Sequence, residues 1–240
     1  MPDQISVIIP ALNEALSIGA VVRSMPWDRI AECIVVDNGS TDATGDVARE
    51  AGARVVTAPR GYGSACLAGS TAAQPSSTIL VYMDGDGSDV IDEFGHLLAP
   101  ILANEADFVI GSRIRGVREP GSMLPSQIFA AHLVGNLLRC VPSVRRYARY
   151  TDMGAFRAIR RTYLEQMHMS ELTYGWNLEM QIKAARHGLR IVELPVRYRN
   201  RIAGQSKVAG DFRASLKAGV RILEVLFRVG LTSRERARCS

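Results

Sequence analysis

The apolar positions of the chain recur with two periods. Residues 5–9, 31–36, 54–57 and 78–83 are short β-branched or aliphatic runs. Each is followed within two residues by Asp or Pro, so each is predicted to be a strand. Helical spacing separates them. Asn13 is placed to cap the first helix, with Glu14 in its first turn. Residues 44–51 and a small-residue stretch to Ala73 form the next two. Four strands alternating with three helices predict βαβ units and a parallel sheet.

The second half repeats the pattern less regularly. Ile91, Phe94, Leu97, Leu98 and Ile101 mark a helix over residues 90–103 that should cover the sheet. Strands are expected at 107–111, 155–159 and 190–196. Helices are expected at 128–138, 161–168 and 177–187, the last stopped by Gly188. The predicted fold class is α/β, a single domain with a mostly parallel sheet flanked by helices over residues 1–210. Residues 1–112 form a nucleotide-binding half and 113–210 an acceptor half. An amphipathic helix at 211–231 and a disordered charged tail at 232–240 follow.

The run at 78–83 is apolar throughout, which suits a strand buried on both faces. It leads into Asp84-Gly85-Asp86-Gly87. Two carboxylates at i and i+2 with no base between them repel unless a cation joins them. A hard divalent ion with oxygen ligands fits, its shell completed by a diphosphate. Taken alone, the same letters also spell a turn. Other loops follow strand ends in the same way, which places them at the edge where open α/β sheets bind ligands. Asp37 can accept a hydrogen bond from a base or ribose. Gly61 and Gly63 would let backbone N–H groups approach a phosphate at a helix start, although no Walker lysine is present.

Four segments then occur together. They are Val7-Ile8-Ile9-Pro10-Ala11-Leu12-Asn13-Glu14, Val35-Val36-Asp37-Asn38-Gly39-Ser40-Thr41-Asp42, Gly61-Tyr62-Gly63-Ser64-Ala65 and Met83-Asp84-Gly85-Asp86. In this order and spacing they resemble family 2 of the inverting glycosyltransferases, with the GT-A fold (a Rossmann-like sheet). Gly111-Ser112-Arg113, residues 151–157, residues 174–179 and Gly204-Gln205-Ser206-Lys207 resemble the branch that makes dolichyl- or polyprenyl-phosphate hexoses. The resemblance covers the chain from Ile5 to about Val229.

The resemblance implies metal-dependent, inverting transfer of a hexose from a UDP-glucose or GDP-mannose type donor to a polyprenyl phosphate. Asp84 and Asp86 would hold Mg²⁺ or Mn²⁺. Pro10, Ala11, Asn13, Glu14, Asp37, Gly61, Gly85, Arg201 and Lys207 would bind the nucleotide sugar. Arg113 would clamp phosphate, and Arg113, Ser126, Asn136 and Ser206 would meet the acceptor. Two positions depart from the pattern. Asn38 stands where a second acid is frequent. Ser88 stands where many mannosyl-transferring members carry Gln, which keeps glucose donors open.

Chemistry narrows the acceptor. An alcohol needs a positioned base, for which Asp152 and Glu179 are the candidates, each with a structural role as its alternative. A phosphate monoester, with a second pKa of about 6, is already ionised at neutral pH. A soluble phosphorylated or alcohol acceptor and a nucleotidyltransferase remain the rival readings.

The chain has 240 residues, 47% apolar and 22% charged, and a formal charge of +5 from 29 basic and 24 acidic residues. That balance favours anionic partners. The basic residues lack the interleaved aromatics of a single-strand platform, which argues against nucleic acid. Cys33, Cys66, Cys140 and Cys239 have no ligand spacing and read as reduced thiols. With no spanning segment and no secretion signal, a cytoplasmic protein is expected. Peripheral membrane contact could come from helix 211–231, whose apolar and basic faces suit an anionic surface. Helix 128–138 reads as a core helix, a homodimer face or an entry for lipid.

Overall fold

Why the strands assemble as they do follows from what each must bury. In this computed structural model, residues 3–139, 141–145, 150–203, 224, 225 and 228 are described. Strands β1 (Ile5–Ala11), β2 (Glu32–Asp37), β3 (Arg54–Thr57), β4 (Ile79–Tyr82), β5 (Phe108–Ser112), β6 (Arg157–Arg160) and β7 (Ile191–Pro195) form one sheet. Its order is β3-β2-β1-β4-β6-β5-β7. β6 runs antiparallel to β4 and β5; the remaining pairs are parallel.

The central strands are buried on both faces. Ile8, Ile34, Val36, Leu80 and Tyr82 join one apolar cluster, while Val7, Ile9, Val35, Ile79 and Val81 join another on the opposite face. Burying each aliphatic side chain contributes about 1.5–3 kcal/mol, so the continuous apolar run at β4 specifies a central position. The helices are α1 (Ile18–Arg23), α2 (Thr44–Glu50), α3 (Tyr62–Ala72), α4 (Phe94–Leu102), α5 (Pro125–Arg139), α6 (Pro142–Arg145), α7 (Arg161–Gln166) and α8 (Trp176–Arg186). Phe94, Leu97, Leu98 and Ile101 of α4 pack on the sheet as their spacing predicts.

All seven expected strands are present. Asn13 differs from expectation: it does not cap α1. Its φ is 50°, and its side-chain oxygen accepts the Thr41 N–H at 2.8 Å. α1 begins later, at Ile18. Most of residues 211–231 and the whole tail at 232–240 lie outside the described residues. Glu224, Val225 and Arg228 are helical. Val225 is buried, and Arg228 pairs with Glu171 at 2.7 Å. Cys33 and Cys66 are buried free thiols, and burial, then the Glu32 charge, pushes Cys33 up to about 12. Among the described residues no helix is long and apolar enough to cross a membrane.

Candidate active site

The parallel strands all end at one edge of the sheet, and a cleft of about 610 Å³ opens there. Residues following β1, β2, β3, β4 and β5 line it, as do Tyr198 and Arg201 beyond β7. Because β6 is antiparallel, it contributes the segment before it, through Met153 and Ala155.

Asp84, Gly85 and Asp86 form the floor where β4 leaves the sheet. The carboxylate of Asp86 is buried. Its Oδ1 accepts the Ser88 N–H at 2.8 Å and the Ser88 hydroxyl at 2.6 Å. Its Oδ2 lies 2.9 Å from the Arg201 guanidinium, which also reaches Glu14 at 3.8 Å. A third acid stands behind the pair. Buried Asp89 accepts the backbone N–H of Asp84 at 2.9 Å. Burial, followed by the charges of Asp86 and Asp89, holds the Asp84 carboxyl well above the ordinary carboxylate range. Burial likewise lifts Asp89 to about 7, against the pull of the Asp84 N–H.

Burial and the neighbouring acids thus favour the protonated forms of Asp84 and Asp89 over the opposing pull of the nearby guanidinium groups. Asp84 and Asp86 supply hard carboxylate oxygens of the kind a Mg²⁺ or Mn²⁺ ion takes. Among the described residues no group of three His, Cys, Asp or Glu side chains is arranged to hold a metal. A cation held by this pair alone would have most of its coordination shell open to other ligands.

Arg113 enters from the end of β5. Its Nε and Nη2 donate to Asp152 Oδ2 and Oδ1 at 2.8 and 2.7 Å, and its backbone N–H also donates to Oδ2 at 2.8 Å. Its guanidinium carbon sits 5.1 Å from the centroid of the Tyr198 ring. Asp152 is buried and lies outside the cleft lining. Burial would raise its carboxyl, but Arg113 outweighs burial and holds it below the usual range. Glu179 is also buried and is engaged by Ser170, Glu171 and Lys183. Both acids considered as bases are thus committed to structural hydrogen bonds.

The glycine loop has a different use from the one expected. Its N–H groups are taken by protein: Gly61 donates to Asn38 Oδ1 at 3.0 Å, Gly63 to the Thr173 carbonyl at 3.2 Å and Ser64 to the Leu172 carbonyl at 2.9 Å. A β-carbon at Gly61 or Gly63 would overlap the Leu172 or Glu171 carbonyl oxygen. The glycines let the 171–173 backbone lie directly on the start of α3, which leaves these amides no freedom to cradle a phosphate.

Pro10, Ala11, Asn13, Glu14, Gly61, Asp84, Gly85, Asp86, Arg113 and Arg201 all line the cleft. Asp37 does not; its carboxylate turns back to accept the Ser40 N–H at 2.8 Å. Ser126 and Asn136 are exposed on α5 outside the lining. Ser206 and Lys207 lie outside the described residues.

Comparison with known proteins decides the family. The model of Glycosyl transferase family 2 matches residues 6–167. The chain belongs to glycosyl transferase family 2. An uncharacterized glycosyltransferase of Mycobacterium tuberculosis is 37% identical over 223 residues, 90% of this chain and 94% of the relative. A dolichyl-phosphate hexose transferase of Haloferax volcanii is 32% identical over 230 residues, 93% of this chain and 94% of that one. The crystal structure of glucosyl-3-phosphoglycerate synthase from Mycobacterium tuberculosis with Mn²⁺, UDP-glucose and phosphoglyceric acid superimposes with a TM-score of 0.76. It is 24% identical and covers 97% of this chain and 82% of that one. The fold is therefore GT-A.

Several cleft residues of this family 2 glycosyltransferase, Arg60, Gln127 and Tyr198, carry no local signal and reach the cleft from segments far apart in sequence, whereas Tyr174 and Asn177 lie in the 174–179 segment of the resemblance. Asp89 had a signal, as a third acid three residues past the pair, which the two-carboxylate pattern masked.

Proposed function

We propose that this glycosyltransferase moves a hexose from a nucleotide sugar to a polyprenyl phosphate, with inversion at the anomeric carbon. One observation carries the reading: the cleft sets an acid pair, Asp84 and Asp86, beside two guanidinium groups, Arg113 and Arg201. Acids for a cation and cations for phosphates are what a nucleotide diphosphate and an anionic acceptor require together.

Asp84 and Asp86 would hold Mg²⁺ or Mn²⁺, which when bound supplies Lewis-acid neutralisation of the leaving nucleoside diphosphate. Glu14 and Asn13 face the donor from the end of β1. Asp152 aims Arg113 at the cleft, where its guanidinium can meet an acceptor phosphate bidentately. Asp152 and Glu179, the two acids weighed as a base for an alcohol, are committed to other hydrogen bonds. A phosphate acceptor, already ionised, removes the need for a base.

The lipid part of the reading draws support from α5. Gln127 lines the cleft, while Leu124, just ahead of the helix, and Phe129 and Leu133 on it are exposed. An apolar surface next to a polar cleft suits a chain that is lipid at one end and phosphate at the other, held at a membrane surface. The relatedness to a dolichyl-phosphate hexose transferase points the same way.

The test is a matrix of purified protein with UDP-glucose or GDP-mannose against a short polyprenyl phosphate, 3-phosphoglycerate or a plain polyprenol, with Mn²⁺. Product on the polyprenyl phosphate is expected. Product on 3-phosphoglycerate alone would move the acceptor to the soluble class. Release of pyrophosphate from a nucleoside triphosphate would replace the reading with nucleotidyl transfer.

A further inference from the structure

Asp86 already has a cation on it, and that cation belongs to the protein. Arg201 stands on a short strap that is stitched to the acid loop by its backbone. Tyr198 forms a β-bridge with Asp89. Arg199 donates its N–H to the Ser88 carbonyl at 3.0 Å, and its Nε to the Gly87 carbonyl at 2.6 Å. Ile202 donates its N–H to the Asp86 carbonyl at 3.0 Å. The Ile202 side chain fills the space a β-carbon at Gly87 would need, and Gly87 has a φ of 77°. These contacts hold the Arg201 side chain over the acid pair and bring its guanidinium 2.9 Å from Asp86 Oδ2.

A divalent ion on Asp86 and a guanidinium on the same oxygen repel one another strongly at such range. The other oxygen, Oδ1, is already taken by two donors from Ser88. The two cations therefore compete for Oδ2. Arg201 has somewhere to go, because Glu14 lies 3.8 Å from its other amino group. A diphosphate bound beside Asp86 would add negative charge on the same side.

We propose that Arg201 is an exchangeable cation: it neutralises Asp86 until a divalent ion takes its place, and then carries its charge to the diphosphate. The proposal rests on reading Asp84 and Asp86 as the cation-binding pair. Its consequence is coupling. A free divalent ion has to displace Arg201 from Asp86 with only the longer Glu14 contact in exchange, so it binds weakly. An ion that arrives with a nucleoside diphosphate makes the exchange favourable, and each ligand must tighten the other by the same factor.

Mn²⁺ binding to the full chain, read by the electron paramagnetic resonance of free Mn²⁺ with and without UDP or GDP, tests this. In the wild type, UDP or GDP should tighten Mn²⁺ at least about tenfold. Arg201→Gln should bind free Mn²⁺ roughly tenfold tighter than the wild type, the scale of one lost hydrogen bond to a charged group, and should lose most of the enhancement by nucleotide. Arg201→Lys keeps a cation and should stay near the wild type. Arg201→Met, which keeps the apolar stem, repeats the measurement if the glutamine variant melts early. Arg201→Gln binding free Mn²⁺ no tighter than the wild type overturns the exchange. Asp86→Ala binding Mn²⁺ with UDP or GDP as well as the wild type overturns instead the assignment of the acid pair.

Discussion

Asp152 holds Arg113 by three hydrogen bonds of 2.7–2.8 Å, two to the guanidinium and one to the backbone N–H. The pair joins two segments 39 residues apart, and Glu193 on β7 fastens the Asp152 end by accepting its N–H at 3.0 Å. A guanidinium fixed at two of its nitrogens presents its remaining edge in one direction, which makes the cleft wall rigid where an anion would dock.

Removing Asp152 leaves a half-buried guanidinium without its carboxylate. Asp152→Ala should cost about 3–5 kcal/mol, as breaking a buried pair does, read by denaturant unfolding. Arg113 depresses the Asp152 carboxyl below its ordinary value. A depressed carboxyl stabilises above its unfolded pKa of about 3.9 and loses that contribution as pH falls through the folded value. Asp152→Asn should therefore lie below the wild type at pH 7, and the two stability curves should converge as pH falls through the depressed folded value. Parallel curves would show that the pair does not govern the acid limb.

Asp86 carries the cation reading. Asp86→Ala should lower transfer by at least about a thousandfold, given the several kcal/mol that bound metal supplies to a developing anion. The fold should stay intact, with a melting temperature lowered by the loss of the Ser88 and Arg201 contacts. Activity assays paired with thermal melts check both halves. Normal turnover in the variant ends the assignment.

Asp89 acts on Asp84 through its peptide N–H at 2.9 Å. Asp89→Asn keeps an oxygen acceptor there and Asp89→Ala does not. The alanine variant should weaken Mn²⁺–nucleotide binding about tenfold, the scale of one hydrogen bond to a charged group, with the asparagine variant nearer the wild type. Equilibrium binding with Mn²⁺ and UDP distinguishes them; equal losses would mean that the charge, and not the hydrogen bond, matters.

Gly63 sits under the Glu171 carbonyl. Gly63→Ala must push the two backbones apart, an overpacking worth about 1–3 kcal/mol. Its unfolding midpoint should fall, and Asn38, bonded to the same loop through Gly61, should lose its place in the cleft. A nucleotide titration of the variant would register that as weaker binding. An unchanged midpoint would show that the loop can give way without cost.

Local pattern alone determined the seven strands, the alternation of helices and the acid pair at the end of β4. Each rests on near neighbours: a period of two or 3.6, a run of apolar residues, or two acids one residue apart. The antiparallel course of β6 was decided only in three dimensions, since strand direction depends on which partners the strand finds and not on its own letters. The same holds for the occupied glycine amides, the turning away of Asp37 and the gripping of Arg113 by Asp152. A sequence records which groups can form hydrogen bonds. Which partner satisfies each of them depends on the packing of segments tens of residues apart, and here that packing gave the loop amides to residues 171–173 and placed Arg201 on Asp86.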